Sequence, residues 1–239
     1  MRLDKLLANS GFGSRKEVKA LLKQGAVSVG GEVARDPKLH VDPAVDGVTV
    51  YGDPVHYREF IYIMMNKPPG VVSATEDNRD RTVIDLLPHE YRRFEPFPAG
   101  RLDKDTEGLL LITNDGKLAH ELLSPKRHVD KIYFARVSGE VTEADREAFA
   151  AGVELDDGYI TQPAVLNILS AGPVSEIELT ITEGKFHQVK RMFEARGKRV
   201  VFLKRLAMGP LPLDPGLAPG DWRELTGEEL EQLKTHKKG

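Results

Sequence analysis

The chain has 239 residues, 40% of them hydrophobic and 30% charged, a balance expected of one large globular domain or of a small domain joined to a larger one. Its 34 Lys and Arg against 37 Asp and Glu leave a net charge of −3, which excludes a globally basic nucleic-acid binder but not a local basic patch. There is no cysteine, so disulfides, thiolate metal sites and cysteine nucleophiles are excluded, and no apolar run approaches the roughly 18 residues of a membrane span.

The N-terminus, "MRLDKLLANSG", carries a charge at Asp4 and lacks the apolar core of a secretory signal, so a cytoplasmic protein is expected. Leu3, Leu6 and Leu7 have helical spacing, and "SGFGS" breaks that helix. Ser14 with Glu17 forms a capping box for a second helix, whose apolar stripe is Val18, Leu21 and Leu22 and which stops at Gln24-Gly25. "AVSVGGEVA" alternates around Gly30-Gly31, a two-residue hairpin signal, and "DGVTVYG" adds a short strand. Residues 1–52 thus read as a compact domain, with 53–59 as a polar linker.

Beyond the linker, residues 60–234 read as a larger domain. "FIYIMMNK" is an apolar strand ended by Pro68-Pro69-Gly70, and "TVIDLLP" is a short helix. "GLLLIT" is a buried strand that turns through Asn114-Asp115-Gly116 into the helix "KLAHELL". "KIYFARVSG" is a strand, and Thr142 with Asp145 caps the helix "EADREAFAAG". "AVLNILSAG" and "SEIELTITEG" form a hairpin, "HQVKRMFEARG" a helix and "VVFLKRLAMG" a returning strand. Thr226 and Glu229 cap a last helix, and the basic residues 235–239 are expected to be a disordered tail. Many strands are joined too briefly for parallel crossovers, so the expected class is α+β with a mixed, largely antiparallel sheet flanked by helices.

Several chemistries lack their motifs. The chain has no G-x-x-x-x-G-K-[ST] loop, no G-x-G-x-x-G fingerprint and no H-E-x-x-H helix, and its seven histidines are scattered without ligand spacing. Two charge patterns remain. Arg15, Lys16, Lys19 and Lys23 fall on one side of the second helix, as a solvated face or as a phosphate-contacting stripe. In "AGRLDKDTEGLLLITNDG", Asp103 stands a few residues before a core strand, where packing can aim a loop carboxylate into a cleft. Asp103, Asp105 and Glu107 repel one another unless a cation compensates, and from spacing alone a turn cap or a surface ion pair explains them as well.

Two resemblances weigh on these alternatives. "RLDKLLANSGFGSRKEVKALLKQGAVSVGGEVA" resembles the small RNA-binding domain first recognised in ribosomal protein S-four, which implies RNA binding through the basic side of the second helix. "GRLDKDTEGLLL" resembles the signature of the pseudouridine synthases, which isomerise uridine within RNA. "MNKPPGVVSAT", "KIYFARV" and "EGKFHQVKRMF" match that family's other motifs in order and spacing, and "HQVKRM" with "QPAVLNI" is similar to its RsuA branch, typified by a small-subunit ribosomal RNA synthase.

The resemblance implies that Asp103 is the catalytic aspartate, attacking the uridine or its ribose, with Lys190 as the cation that keeps it ionised. Many relatives have arginine at the position of Lys190; Arg191 is the alternative, turned away by about 100° of helix. Tyr133 would stack on the extruded uracil and assist removal of the proton on carbon 5, although a core tyrosine is the plain alternative. Arg101 would fill the gap left by the flipped base, Lys67 would support the Asp103 loop or contact phosphate, and Asp105 and Glu107 would shape the loop. No cofactor or metal is required, because the reaction is a net isomerisation. The implied partner is ribosomal RNA, of the small subunit or its assembling particle, acted on by a monomer with no membrane association. A large-subunit uridine is the alternative target. A non-catalytic assembly factor and a glycosidase with paired carboxylates are the competing functions; in the latter Asp105, only two residues from Asp103, is poorly placed to act on the opposite face of a sugar.

Overall fold

The computed structural model describes residues 1–124 and 127–236, and they divide into two compact units. The small unit comprises Met1–Ile61 and Pro88–Glu95. Helices α1 (Leu3–Asn9) and α2 (Arg15–Gln24) pack on strands β1 (Val27–Val29), β2 (Glu32–Val33), β3 (Val48–Val50) and β4 (Asp53–Pro54), which form a sheet in the order β2-β1-β3-β4. The helix-capping signals act as local chemistry dictates. Ser14 Oγ accepts from the Glu17 amide, Glu17 Oε2 accepts from the Ser14 amide at 2.6 Å, and Gly25 ends α2 in the left-handed conformation. Gly30 and Gly31 both take positive φ in the β1–β2 turn, as a tight hairpin loop requires.

Leu3, Leu6, Leu7, Val18, Leu22, Val27 and Val48 form the core of this unit, and Val55 and Tyr57 pack against it. Asp53–Pro54 pair with β3, so the first part of the segment read as a linker is built into the small unit. Pro88–Glu95 carries α3 (His89–Arg92), a four-residue helix with no buried residue and hence no apolar stripe to betray it in the sequence.

The large unit is built on one nine-stranded sheet. Its main path runs β13 (Trp222–Glu224), β5 (Tyr62–Lys67), β7 (Glu107–Thr113), β11 (Arg199–Met208), β8 (Lys131–Ser138), β10 (Val174–Ile181) and β9 (Val165–Ser170). β6 (Phe97–Ala99) also pairs with β7, and β12 (Leu211–Pro212) with β11. Among the described residues every strand pairing in this sheet is antiparallel except β7 with β11, so the α+β class with a mixed, largely antiparallel sheet is the observed architecture.

β5 and β7 are buried on both faces, which is why both read as unbroken apolar runs; β10, buried on one face, alternates. Helices α4 (Gly116–Leu123), α5 (Glu143–Ala151), α6 (Gln188–Glu194) and α7 (Gly227–Thr235) pack around the sheet. Phe149 of α5 and Phe193 of α6 meet with ring centroids 4.9 Å apart. "TVIDLLP" makes only one 3-10 turn, Ile84–Leu86, held by Asp85 Oδ2 accepting from the Thr82 amide. Of the tail expected at 235–239, Thr235 ends α7 and residues 237–239 lie outside the described residues.

Candidate active site

The loop between β6 and β7 carries Arg101, Asp103 and Asp105, and its backbone is clamped from the "MNKPPGVVSAT" segment. Ser73 Oγ donates to Leu102 O at 3.0 Å and accepts from the Leu102 amide at 3.1 Å. Lys67 is wholly buried and donates through Nζ to the carbonyls of Pro68, Lys104 and Thr106 at 3.0, 3.2 and 2.8 Å. Burial pushes its ammonium down to about 8, against the opposite pull of Asp105, Asp103 and Glu107. Lys67 therefore supports the Asp103 loop, and the expectation that it contacts RNA is corrected: a side chain with no accessible surface cannot reach a phosphate.

The loop's far end is fixed by Gly108. β7 and β11 approach so closely that a Cβ on Gly108 would lie 2.2 Å from Arg205 O, and its φ of +103° is one that side chains resist. The glycine of "TEGLLL" is thus what lets the loop run directly into a central strand.

Facing this loop is α6 with the turn before it. Lys190 Nζ lies 3.0 Å from Asp103 Oδ2 and 2.6 Å from Asp105 Oδ1. Partial burial works against the Lys190 charge, but the two carboxylates outweigh it and hold its pKa above the usual lysine value. Burial likewise opposes ionisation of Asp105, yet the Lys190 ammonium keeps that carboxyl below its usual value. His187, in a left-handed conformation at φ 47°, brings Nε2 within 3.4 Å of Asp103 Oδ1. Gln188 is buried and locks the turn: its Nε2 donates to Glu183 Oε1 and its Oε1 accepts from the Lys185 amide, both at 2.8 Å.

Asp103, His187 and Gln188 line an open cleft together with Arg101, Thr106 and Tyr133, and Lys190 joins it through its contact with Asp103. Tyr133 reaches it from β8, where it sits in register with Leu179 and Arg205. Arg101 is exposed at the cleft and has no ion pair among the described residues. Thr106 Oγ1 is buried without a hydrogen-bond partner among the described residues, a cost that a polar ligand atom would remove. The floor is therefore one carboxylate bridged to an ammonium, beside an aromatic ring and an unused hydroxyl. Such a set can hold an ionised nucleophile next to a flat ring.

Asp103, Tyr133, Lys190 and Arg101 are brought together by the fold, and Arg191 is not. Its guanidinium pairs with Asp156 and with Asp157 Oδ2 at 2.7 Å, so Arg191 as the alternative partner of Asp103 is corrected. One step along α6 turns its side chain to a different neighbour. Asp105, read as a loop-shaping residue, is joined to Lys190 more closely than Asp103 is. His187 was not singled out by the sequence reading: it stands in the turn before α6 in a left-handed conformation, where helical spacing from Lys190 does not place it. In the small unit, Arg15, Lys16, Lys19 and Lys23 are all exposed on α2.

Residues 1–45 match the S4 domain, and residues 61–195 match the RNA pseudouridylate synthase family. An uncharacterized RNA pseudouridine synthase of Bacillus subtilis is 62% identical over 98% of both chains. The ribosomal small subunit pseudouridine synthase A of Escherichia coli is 40% identical, covering 98% of this chain and 100% of that one. The ribosomal large subunit pseudouridine synthase B of Bacillus subtilis is also 40% identical, over 98% and 95%. A crystal structure of a pseudouridylate synthase superposes with a TM-score of 0.69 at 35% identity, covering 98% of this chain and 99% of that one. With three relatives of this kind matched over nearly their full lengths, the chain belongs to the RNA pseudouridylate synthase family and carries an N-terminal S4 domain.

Proposed function

We propose that the chain converts one uridine of small-subunit ribosomal RNA to pseudouridine, with Asp103 as the attacking carboxylate. The observation that carries this reading is the Asp103–Lys190 pair at 3.0 Å in the cleft that Tyr133 also lines. The ammonium stabilises an ionised carboxylate in a partly closed site, where a transient covalent bond to the substrate can form and break. The bond from ribose carbon 1′ to base nitrogen 1 breaks, the uracil turns, and carbon 1′ rejoins at carbon 5. The proton lost from carbon 5 is matched by one gained at nitrogen 1, so atoms balance without a redox partner.

A stacked uridine is out of reach of such a cleft and must be extruded. Tyr133 offers a ring for the extruded base and a hydroxyl near carbon 5, and the exposed Arg101 fills the space it leaves. The small unit serves as the RNA-binding module, with Arg15, Lys16, Lys19 and Lys23 tracking the phosphates, and the large unit as the catalytic domain.

"HQVKRM" and "QPAVLNI" support a small-subunit target, as does the full-length match to the Escherichia coli small-subunit enzyme. The equal identity to the Bacillus subtilis large-subunit enzyme supports a second reading, the same chemistry on a large-subunit uridine. Tritium release from ribosomal RNA labelled at uridine carbon 5 decides between them. Release from small-subunit RNA alone is expected, and release from large-subunit RNA alone would transfer the reading to the second target.

A further inference from the structure

Phe186 is 76% exposed at the rim of the cleft, on a turn that is otherwise firmly tied down. The flanking backbone is held by Gln188 through Glu183 and the Lys185 amide. The ring does not lie loose on this turn. It stacks on His187 with centroids 3.8 Å apart and planes inclined by 20°, and His187 is itself a wall of the cleft 3.4 Å from Asp103. One face of the phenyl ring is therefore covered by the imidazole while most of its surface stays in water. His187 holds φ 47° in this turn, whose backbone Gln188 ties down.

The neighbourhood is cationic as well as aromatic. Lys185, next in sequence and exposed, is centred over the Tyr159 ring at 4.4 Å, and Arg101 is exposed at the same cleft. An exposed flat ring beside cations is the composition of a surface that binds single-stranded nucleic acid, with bases stacking on the ring and phosphates on the charges.

We propose that the Phe186–His187 stack is a platform for an unpaired nucleobase adjoining the target uridine. The uridine enters the cleft towards Asp103, and its neighbour in the strand stacks on the outer face of Phe186, with Lys185 near the intervening phosphate. This site deepens the isomerase reading and rests on it for the identity of the RNA. Its chemistry selects an unpaired base at that position without selecting which base, since every base presents a π face.

The test uses the full chain, with the variants Phe186→Ala, Phe186→Leu, Phe186→Tyr and Phe186→Trp. On ribosomal RNA tritiated at uridine carbon 5, Phe186→Ala and Phe186→Leu should raise KM roughly ten- to a hundredfold with a much smaller change in kcat, and Phe186→Tyr should restore KM. The Trp fluorescence of Phe186→Trp should be quenched by a short single-stranded oligouridylate that leaves wild-type fluorescence unchanged. Wild-type KM in the Ala variant, or Leu serving as well as Tyr, would overturn the platform. If the wild type releases no tritium from ribosomal RNA, the isomerase reading fails by itself. The quenching then still judges the platform: its presence supports base stacking and its absence removes it.

Discussion

Lys190 Nζ bridges two carboxylates, 3.0 Å from Asp103 and 2.6 Å from the more exposed Asp105. The shorter contact is the weaker claim on function, because Asp105 is solvated and its pairing is screened by water. Lys190→Met should therefore lower kcat on the order of a hundredfold, by removing the cation from a site that depends on placed charge. Asp105→Asn should cost less than about tenfold, since it leaves Lys190 with Asp103. Arg191→Ala, whose native partners are Asp156 and Asp157, should leave turnover nearly unchanged. Equal losses in Lys190→Met and Arg191→Ala would show that the direction of α6 has been misassigned.

A pH dependence follows from Lys67. Its ammonium donates to three carbonyls, and a neutral amine has only two hydrogens for them. With burial holding its pKa at about 8, kcat/KM should fall as pH rises through that value. Lys67→Arg, always charged, should extend activity to higher pH if it folds. Stability should not follow the same curve. A lysine whose folded pKa is below its unfolded value contributes stability that is complete above the unfolded value and is lost as pH falls through about 8. Activity and melting temperature falling together above that pH would point to unfolding instead of a loosened loop.

Gly108→Ala tests the close approach of β7 and β11. The added methyl would meet Arg205 O at 2.2 Å in a conformation that disfavours any side chain. A loss of about 3 kcal/mol or more is expected, from backbone strain combined with a clash. That corresponds to a drop of roughly 6–12 °C in thermal midpoint for a chain of this size. A drop of a degree or less would mean that the two strands separate easily and that the glycine does not fix the loop.

Much of the fold was legible because its signals are local. The Ser14–Glu17, Thr142–Asp145 and Thr226–Glu229 boxes each begin a helix where the sequence places one. The apolar run of β7 and the alternation of β10 report burial on two faces and on one. Strand β6 escaped notice because it is three residues long and contains Pro98, and the parallel β7–β11 pairing joins residues about a hundred positions apart, which no local pattern encodes. The same limit applied to the site. Motif order led to Asp103, Tyr133 and Lys190, whereas the complete burial of Lys67 and the partners of Arg191 depend on tertiary contacts. Lysine and arginine residues look alike in a sequence whether they face RNA, a carboxylate or a ring of carbonyls.

The α2 stripe can be tested through salt. If Lys19 and Lys23 each contact a phosphate, replacing either by Ala should weaken RNA binding and reduce the slope of log affinity against log salt by about one. An unchanged slope would make the stripe a solvated helix face.

The most direct test of the central claim compares tritium release from uridine-labelled small-subunit ribosomal RNA by the wild type and by Asp103→Asn, with circular dichroism confirming that both are folded. Release by the wild type and none above background by the variant is the expected result. Release by Asp103→Asn at a rate near that of the wild type would contradict the role of Asp103 and direct the search to another group in the cleft.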